Sequence, residues 1–115
     1  MSPRLPLALA LPLLVAGCGA DKAAPAATAP RAATVAIASF KYKSATVHIR
    51  AGGKVAWVNR DSAGHTATFT TGPSRLDTDR LERGDRASLT FPDAGRYAYV
   101  CAFHAFMKGE VVVEK

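Results

Sequence analysis

The chain is short of cysteine, of acidic charge and of long apolar runs. Two cysteines in 115 residues exclude a framework of several disulfides. Fifteen basic side chains face nine acidic ones, a formal net charge of +6. The basic residues form no run of five or six. They are not interleaved with aromatics either, so nucleic-acid binding is excluded as the primary role. The basic balance reads instead as a solvated surface, able to steer an acidic partner or an anionic membrane toward the protein. The main apolar run, Leu5 to Ala16, is shorter than the ~20 residues that a membrane-spanning helix needs. No window carries the periodicity of an amphipathic helix, although Leu76 to Arg83 has room for one helical turn. A chain of this length holds one domain.

That apolar run does have another use. Arg4 is the sole charge before Asp21, and residues 1–17 read as a secretory signal. It ends in Leu14-Val15-Ala16-Gly17-Cys18, which resembles a bacterial lipoprotein box, with cleavage before Cys18 and acylation of its sulfur. The expectation is an exported lipoprotein, periplasmic or in the cell envelope, held to a membrane through Cys18. Cleavage leaves 14 basic against 9 acidic side chains, a formal +5. Residues 18–33 then form a tether of Ala, Thr and Pro, semi-extended through Pro25 and Pro30. The fifteen residues after Cys18 reach at most about 50 Å. With Cys18 acylated, Cys101 has no disulfide partner, and a lone thiol in an oxidising compartment is a liability unless a metal occupies it.

From Thr34 to Lys115 the pattern is that of short strands. Val35 and Ile37 alternate with alanines, and Val47 and Ile49 alternate with Thr46, His48 and Arg50. Val55 to Asn59 is nearly all apolar, as a strand buried on both faces would be. Thr66 to Thr70, Ala87 to Phe91, Arg96 to Cys101 and Glu110 to Glu114 complete the set. Turn residues separate them at Ala51-Gly52-Gly53, Thr71-Gly72-Pro73, Arg83-Gly84-Asp85 and Asp93-Ala94-Gly95. The fold expected is all-β, an antiparallel Greek-key sandwich of about seven to eight strands. Asp93-Ala94-Gly95-Arg96-Tyr97 suggests a tyrosine corner, the Tyr97 hydroxyl bonding back to the chain just upstream.

The chemistry lies in Cys101-Ala102-Phe103-His104-Ala105-Phe106-Met107. Thiolate, imidazole and thioether recur every three residues, a spacing that lets one turn aim all three inward. A second imidazole completes the set, and His65, after the polar loop Asn59 to Gly64, supplies it. Two imidazoles and a thiolate with a distant thioether are the donors of a one-electron copper site. The four candidate ligands are therefore His65, Cys101, His104 and Met107. His48 shares a strand face with Thr46 and Arg50, opposite Val47 and Ile49, and is expected at the surface rather than at the metal.

These segments resemble the cupredoxins, the type 1 blue copper proteins, and among them most nearly the amicyanin group, with plastocyanins and pseudoazurins further off. Three features carry the resemblance, which spans Ser39 to Glu114. They are the short Cys-x-x-His-x-x-Met loop, Val55-Ala56-Trp57-Val58-Asn59-Arg60 with His65 eight residues after Trp57, and Leu89-Thr90-Phe91 followed by Asp93 to Tyr97. The resemblance implies a single type 1 copper ion, one-electron transport rather than enzymatic turnover, and a monomer. It also implies a transient redox partner such as a cytochrome c or a periplasmic dehydrogenase, docking on an apolar patch of Ala102, Phe103, Ala105 and Phe106. Protonation of His104 is expected to compete with Cu(I), raising the potential as pH falls.

Two departures from that pattern stand out. Relatives place Asn after the first histidine and Ser or Thr after the cysteine, side chains that brace the two ligand loops; here Thr66 and Ala102 occupy those positions. Where amicyanin has proline between cysteine and histidine, this chain has Phe103, whose restored N–H is expected to reach the thiolate and raise the potential. Copper storage or delivery with the same ligands is the alternative function. Zinc in the pocket and a Cys–His nucleophile are further options; the latter is disfavoured because no carboxylate is evident behind the histidine.

Overall fold

The computed structural model describes Pro3, residues 28–72 and residues 76–115. Apart from Pro3, the signal segment, Cys18 and the tether as far as residue 27 lie outside the described residues, as do residues 73–75 of the turn at Thr71-Gly72-Pro73.

Eight strands follow one another: β1 (Ala32–Ala38), β2 (Lys41–Lys43), β3 (Thr46–Arg50), β4 (Gly53–Asn59), β5 (Thr68–Phe69), β6 (Arg86–Phe91), β7 (Gly95–Val100) and β8 (Lys108–Glu114). They form two four-stranded sheets, ordered β2-β1-β4-β6 and β3-β8-β7-β5. Alternation decides which side chains meet between the sheets. Val35 and Ile37 of β1 and Val55 and Trp57 of β4 are buried against Ile49, Tyr97, Tyr99, Val111 and Val113 of the other sheet. Trp57 anchors the middle, edge-on to Tyr99 at 5.4 Å and to Phe69 at 5.8 Å between ring centroids. The expected sandwich is present, but its sheets are mixed. β1 runs parallel to β4, and β3 parallel to β8. A chain that switches sheets between consecutive strands returns to each sheet by a crossover, and a crossover delivers parallel neighbours.

Strand limits differ from the alternation pattern where backbone partners decide them. β1 begins at Ala32 rather than Thr34, because Lys54 N–H bonds to Arg31 C=O at 2.9 Å and the pairing with β4 starts there. The segment Thr66 to Thr70 contributes only two strand residues. Its earlier donors are diverted: Thr66 N–H points to the Cys101 sulfur and Ala67 N–H to Thr78 Oγ1. Leu76 to Arg83 forms no helical turn; Leu81 and His65 instead exchange both backbone hydrogen bonds, at 2.7 and 3.1 Å. β2 has no signal in the sequence pattern. It closes a two-residue turn at Ser39 and Phe40, both left-handed at φ 53° and 57°, positions where glycine or asparagine is usual. The tyrosine corner is formed, with Tyr97 O–H donating to Asp93 C=O at 2.7 Å.

Candidate metal centre

Three connections meet at one end of the sandwich: the β1–β2 turn, the β4–β5 loop carrying His65, and the β7–β8 loop carrying Cys101, His104 and Met107. The β4–β5 loop is shaped from within by Asn59, which is fully buried. Its side-chain amide donates to Ala63 C=O and Leu81 C=O, both at 2.8 Å, and its carbonyl oxygen accepts Asp61 N–H at 2.9 Å. All three hydrogen-bonding positions used are satisfied, so the loop has one conformation to offer. It turns the Asp61 carboxylate back toward the ring of His65, which lies 2.9 Å away through Nε2.

Asp61 has further partners. Its two oxygens accept the N–H groups of Ser39 (2.7 Å) and Phe40 (2.9 Å). Burial pushes this carboxyl upward, but the Phe40 and Ser39 amides and the His65 ring outweigh it and hold it below the usual aspartate value. As an ionised acceptor it favours the tautomer of His65 with the proton on Nε2, which leaves Nδ1 unprotonated and able to bind a metal. The same contacts hold the strained turn, so that the Phe40 ring stands edge-on to both imidazoles, 5.1 Å from His65 and 5.0 Å from His104.

The second loop closes on itself. Cys101 N–H bonds to Met107 C=O at 3.1 Å, and Met107 N–H to His104 C=O at 2.8 Å. These bonds draw Cys101, His104 and Met107 to one side of the turn and leave Phe103 and Phe106 outside, 52% and 68% exposed. Arg80 lies over the Phe103 ring at 5.1 Å and pairs with Glu82.

Across the loops, Cys101 Sγ stands 3.7 Å from Nδ1 of His65 and 3.7 Å from Nδ1 of His104. One donor atom from each residue lies within 4.8 Å of the others. Cys101 and His65 are 1% and 0% exposed, and His104 is half-buried. A metal bonded to sulfur at ~2.3 Å and to nitrogen at ~2.0 Å, with about 120° between them, sets sulfur and nitrogen about 3.7 Å apart. The two measured separations agree with that spacing, so the residues present fit a trigonal metal. Met107 is buried at the foot of the same turn.

The structure thus brings together His65, Cys101 and His104, and keeps Met107 in the same buried turn. His48 is exposed and pairs with Glu114 at 2.8 Å, away from the site. The brace between the ligand loops is rebuilt from other atoms: Ala102 N–H donates to Thr66 Oγ1 at 2.9 Å, and Thr66 N–H reaches Cys101 Sγ at 3.4 Å. Among the described residues it is this Thr66 amide, and not that of Phe103, that bonds to the sulfur, so a raised potential has no basis in a Phe103 hydrogen bond. A carboxylate does stand behind a histidine, contrary to the sequence reading. Asp61 and Phe40 went unrecognised because their roles depend on pairing across 21 and 22 residues. The only local hint is an acidic residue four positions before His65.

A family profile described as copper binding proteins of the plastocyanin/azurin family matches residues 29–114. The chain belongs to that family. Copper is accordingly its cofactor, and one-electron transfer by type 1 copper is its activity. Curated relatives in this copper-binding family include amicyanin of Paracoccus denitrificans, 38% identical over 85% of this chain and 83% of the relative. Amicyanin-alpha of Methylorubrum extorquens is also 38% identical, over 75% of this chain and 76% of the relative. Among solved structures, a reduced Cu(I) form of an amicyanin mutant at pH 4 superposes with a TM-score of 0.68 at 39% identity, covering 76% of this chain and 86% of that one. An oxidised amicyanin mutant gives 0.67 at 33% identity, covering 78% and 95%.

Proposed function

We propose that His65, Cys101, His104 and Met107 are the four ligands of one type 1 copper ion, and that the protein shuttles single electrons between envelope redox proteins. The observation that carries this reading is the 3.7 Å approach of two imidazole Nδ1 atoms to one buried sulfur. Copper bound there would supply a Cu(I)/Cu(II) couple. The protein's part is to hold the donors still. His65 is locked by Asp61, Cys101 by the Thr66 amide, and His104 and Met107 by the hydrogen bonds that close their turn. Donors fixed by a sandwich move little when charge changes, and small rearrangement favours fast exchange in both directions.

Nothing favours turnover of a substrate at this site. A Cys101–His65–Asp61 alignment is present, but the sulfur is 1% exposed, and a nucleophile must touch its substrate. Electrons leave instead through a surface. Phe40, Phe103 and Phe106 are 41%, 52% and 68% exposed, and Phe40 and Phe106 lie against His104. Such an apolar patch suits a small, transient interface with a cytochrome c or a periplasmic dehydrogenase. The signal-like residues 1–17 and Cys18 support export and acylation, and the Ala/Thr/Pro tether gives the domain reach from a membrane.

The deciding experiment is the absorption spectrum of the oxidised, copper-loaded domain. An intense blue thiolate-to-copper band with reversible one-electron voltammetry is expected. A colourless, readily lost Cu(I) form would favour copper storage or delivery and would overturn the carrier assignment.

A further inference from the structure

Thr66, which follows the ligand His65, is one member of a hydrogen-bond chain that runs to the surface. Ala102 N–H donates to Thr66 Oγ1 (2.9 Å), Thr66 Oγ1 lies 2.8 Å from Thr68 Oγ1, and Thr68 O–H donates to Asp77 Oδ2 (3.1 Å). The direction of each bond follows from its ends. An amide N–H only donates and an ionised carboxylate only accepts. Thr68 has a single hydroxyl proton, given to Asp77, so the proton between the two hydroxyls belongs to Thr66. Thr66 Oγ1 is then free to accept from Ala102. The chain has one consistent polarity from the cysteine loop to the carboxylate, and aligned hydrogen bonds strengthen one another.

Asp77 is held for this role. Its second oxygen accepts Asp79 N–H at 2.8 Å, and its backbone bridges to that of Thr68. At the inner end, Thr66 is buried and has every polar atom engaged. Its C=O accepts the Tyr42 hydroxyl at 2.5 Å, and its N–H meets Cys101 Sγ at 3.4 Å. Rotation of the Thr66 side chain would break the bond to the residue next to Cys101.

We infer that Thr68 and Asp77 are positioning residues for the cysteine ligand, acting through the Thr66 hydroxyl to pin the Cys101 loop against the His65 loop. The inference rests on the copper-ligand assignment above, and residues remote from the metal would thereby set the sulfur's position. Where a threonine follows the histidine and an alanine the cysteine, a side-chain-to-backbone bond replaces a side-chain pair, and the outer two residues fix the orientation of that bond.

The test compares Thr68→Val, Thr68→Ser and Asp77→Ala with Thr90→Val, a control on an exposed position of β6. In the metal-free protein, amide exchange of Ala102 is followed by NMR. Thr68→Val is expected to speed it about fivefold, the equivalent of ~1 kcal/mol for one hydrogen bond. Asp77→Ala should act in the same direction, Thr68→Ser should restore the parent rate, and Thr90→Val should leave it unchanged. In the copper-loaded protein, Thr68→Val should shift the reduction potential and the thiolate band while Thr68→Ser does not. An Ala102 rate within twofold of the parent in both Thr68→Val and Asp77→Ala overturns the chain. Faster exchange with an unmoved potential and band overturns its effect on the ligand. Should Thr68→Val not fold, Asp77→Ala, altered at an exposed carboxylate, decides by the same criteria. A parent protein without a thiolate–copper band would refute the ligand assignment, whereas the exchange rates would still report on the chain.

Discussion

Asp61 accepts from Nε2 of His65 at 2.9 Å while Nδ1 of the same ring faces the Cys101 sulfur at 3.7 Å. One carboxylate therefore fixes both the tautomer and the orientation of a proposed ligand whose ring is fully buried. Removing it leaves a buried imidazole donor and two turn amides without their acceptor. Asp61→Ala is expected to destabilise the metal-free domain by about 1–3 kcal/mol, the cost of stranding buried hydrogen-bonding groups. Copper affinity should fall by roughly 10- to 100-fold, as it does when groups behind a ligating histidine are lost. Urea unfolding and a competitive chelator titration measure the two effects; an unchanged affinity would dissociate Asp61 from the site.

The pH dependence of stability has a definite sign at this residue. Although burial raises it, the Asp61 carboxyl is held net below its ordinary value by the Phe40 and Ser39 amides and the His65 ring. A depressed folded-state value means that the stabilisation is fully present above the unfolded value of about 4 and is lost as pH falls through the folded one. Asp61→Asn should thus be less stable than the parent at pH 6, with the gap narrowing as pH drops below about 4. A gap that stays constant down to pH 2 would contradict the assignment.

The β1–β2 turn carries two non-glycine residues at positive φ, Ser39 at 53° and Phe40 at 57°. Left-handed backbone costs an ordinary residue roughly 1–2 kcal/mol, and glycine escapes most of that at some entropic cost. Ser39→Gly keeps the amide that bonds Asp61 and should raise the melting temperature of the metal-free domain by a few degrees. A lower value would mean that the serine side chain outweighs the strain.

Two glycines predict opposite sensitivities. A Cβ on Gly109 would sit 2.3 Å from the Tyr99 ring, which Tyr42 and Trp57 back at 4.7 and 5.4 Å and prevent from moving aside. Gly109→Ala should cost about 1–3 kcal/mol or more by overpacking. A Cβ on Gly64 would meet the Arg80 guanidinium at 2.6 Å, but that side chain is flexible and 55% exposed. Gly64→Ala should cost under about 1 kcal/mol and displace Arg80 from Phe103. Denaturant midpoints of the two variants compare them directly.

Metal removal is the last test. A ligand that binds only the folded state stabilises it by mass action, by about 2.7 kcal/mol at one hundred times its dissociation constant. The melting temperature should rise on copper loading and return to the metal-free value with a chelator. Cys101→Ala should abolish the rise. An unaltered rise in that variant would move the metal elsewhere.

Strand alternation, the turn residues between strands, and a loop whose spacing places three donors within seven residues are all legible in the local order of the chain. Local periodicity reports those features because neighbours in the chain decide them. His65 was reachable through the order of motifs around Trp57, but its approach to the sulfur is a product of folding, since 36 residues separate them. That Asp61 locks the ring, that Phe40 covers both imidazoles, and that the Thr66 hydroxyl takes up the Ala102 amide emerge only when the chain folds. Each is a contact between loops meeting at one end of a sandwich, where sequence separation is large and neither partner has a periodic signature. The parallel pairings have the same origin, because sheet order is set by which apolar faces pack together and not by any single strand.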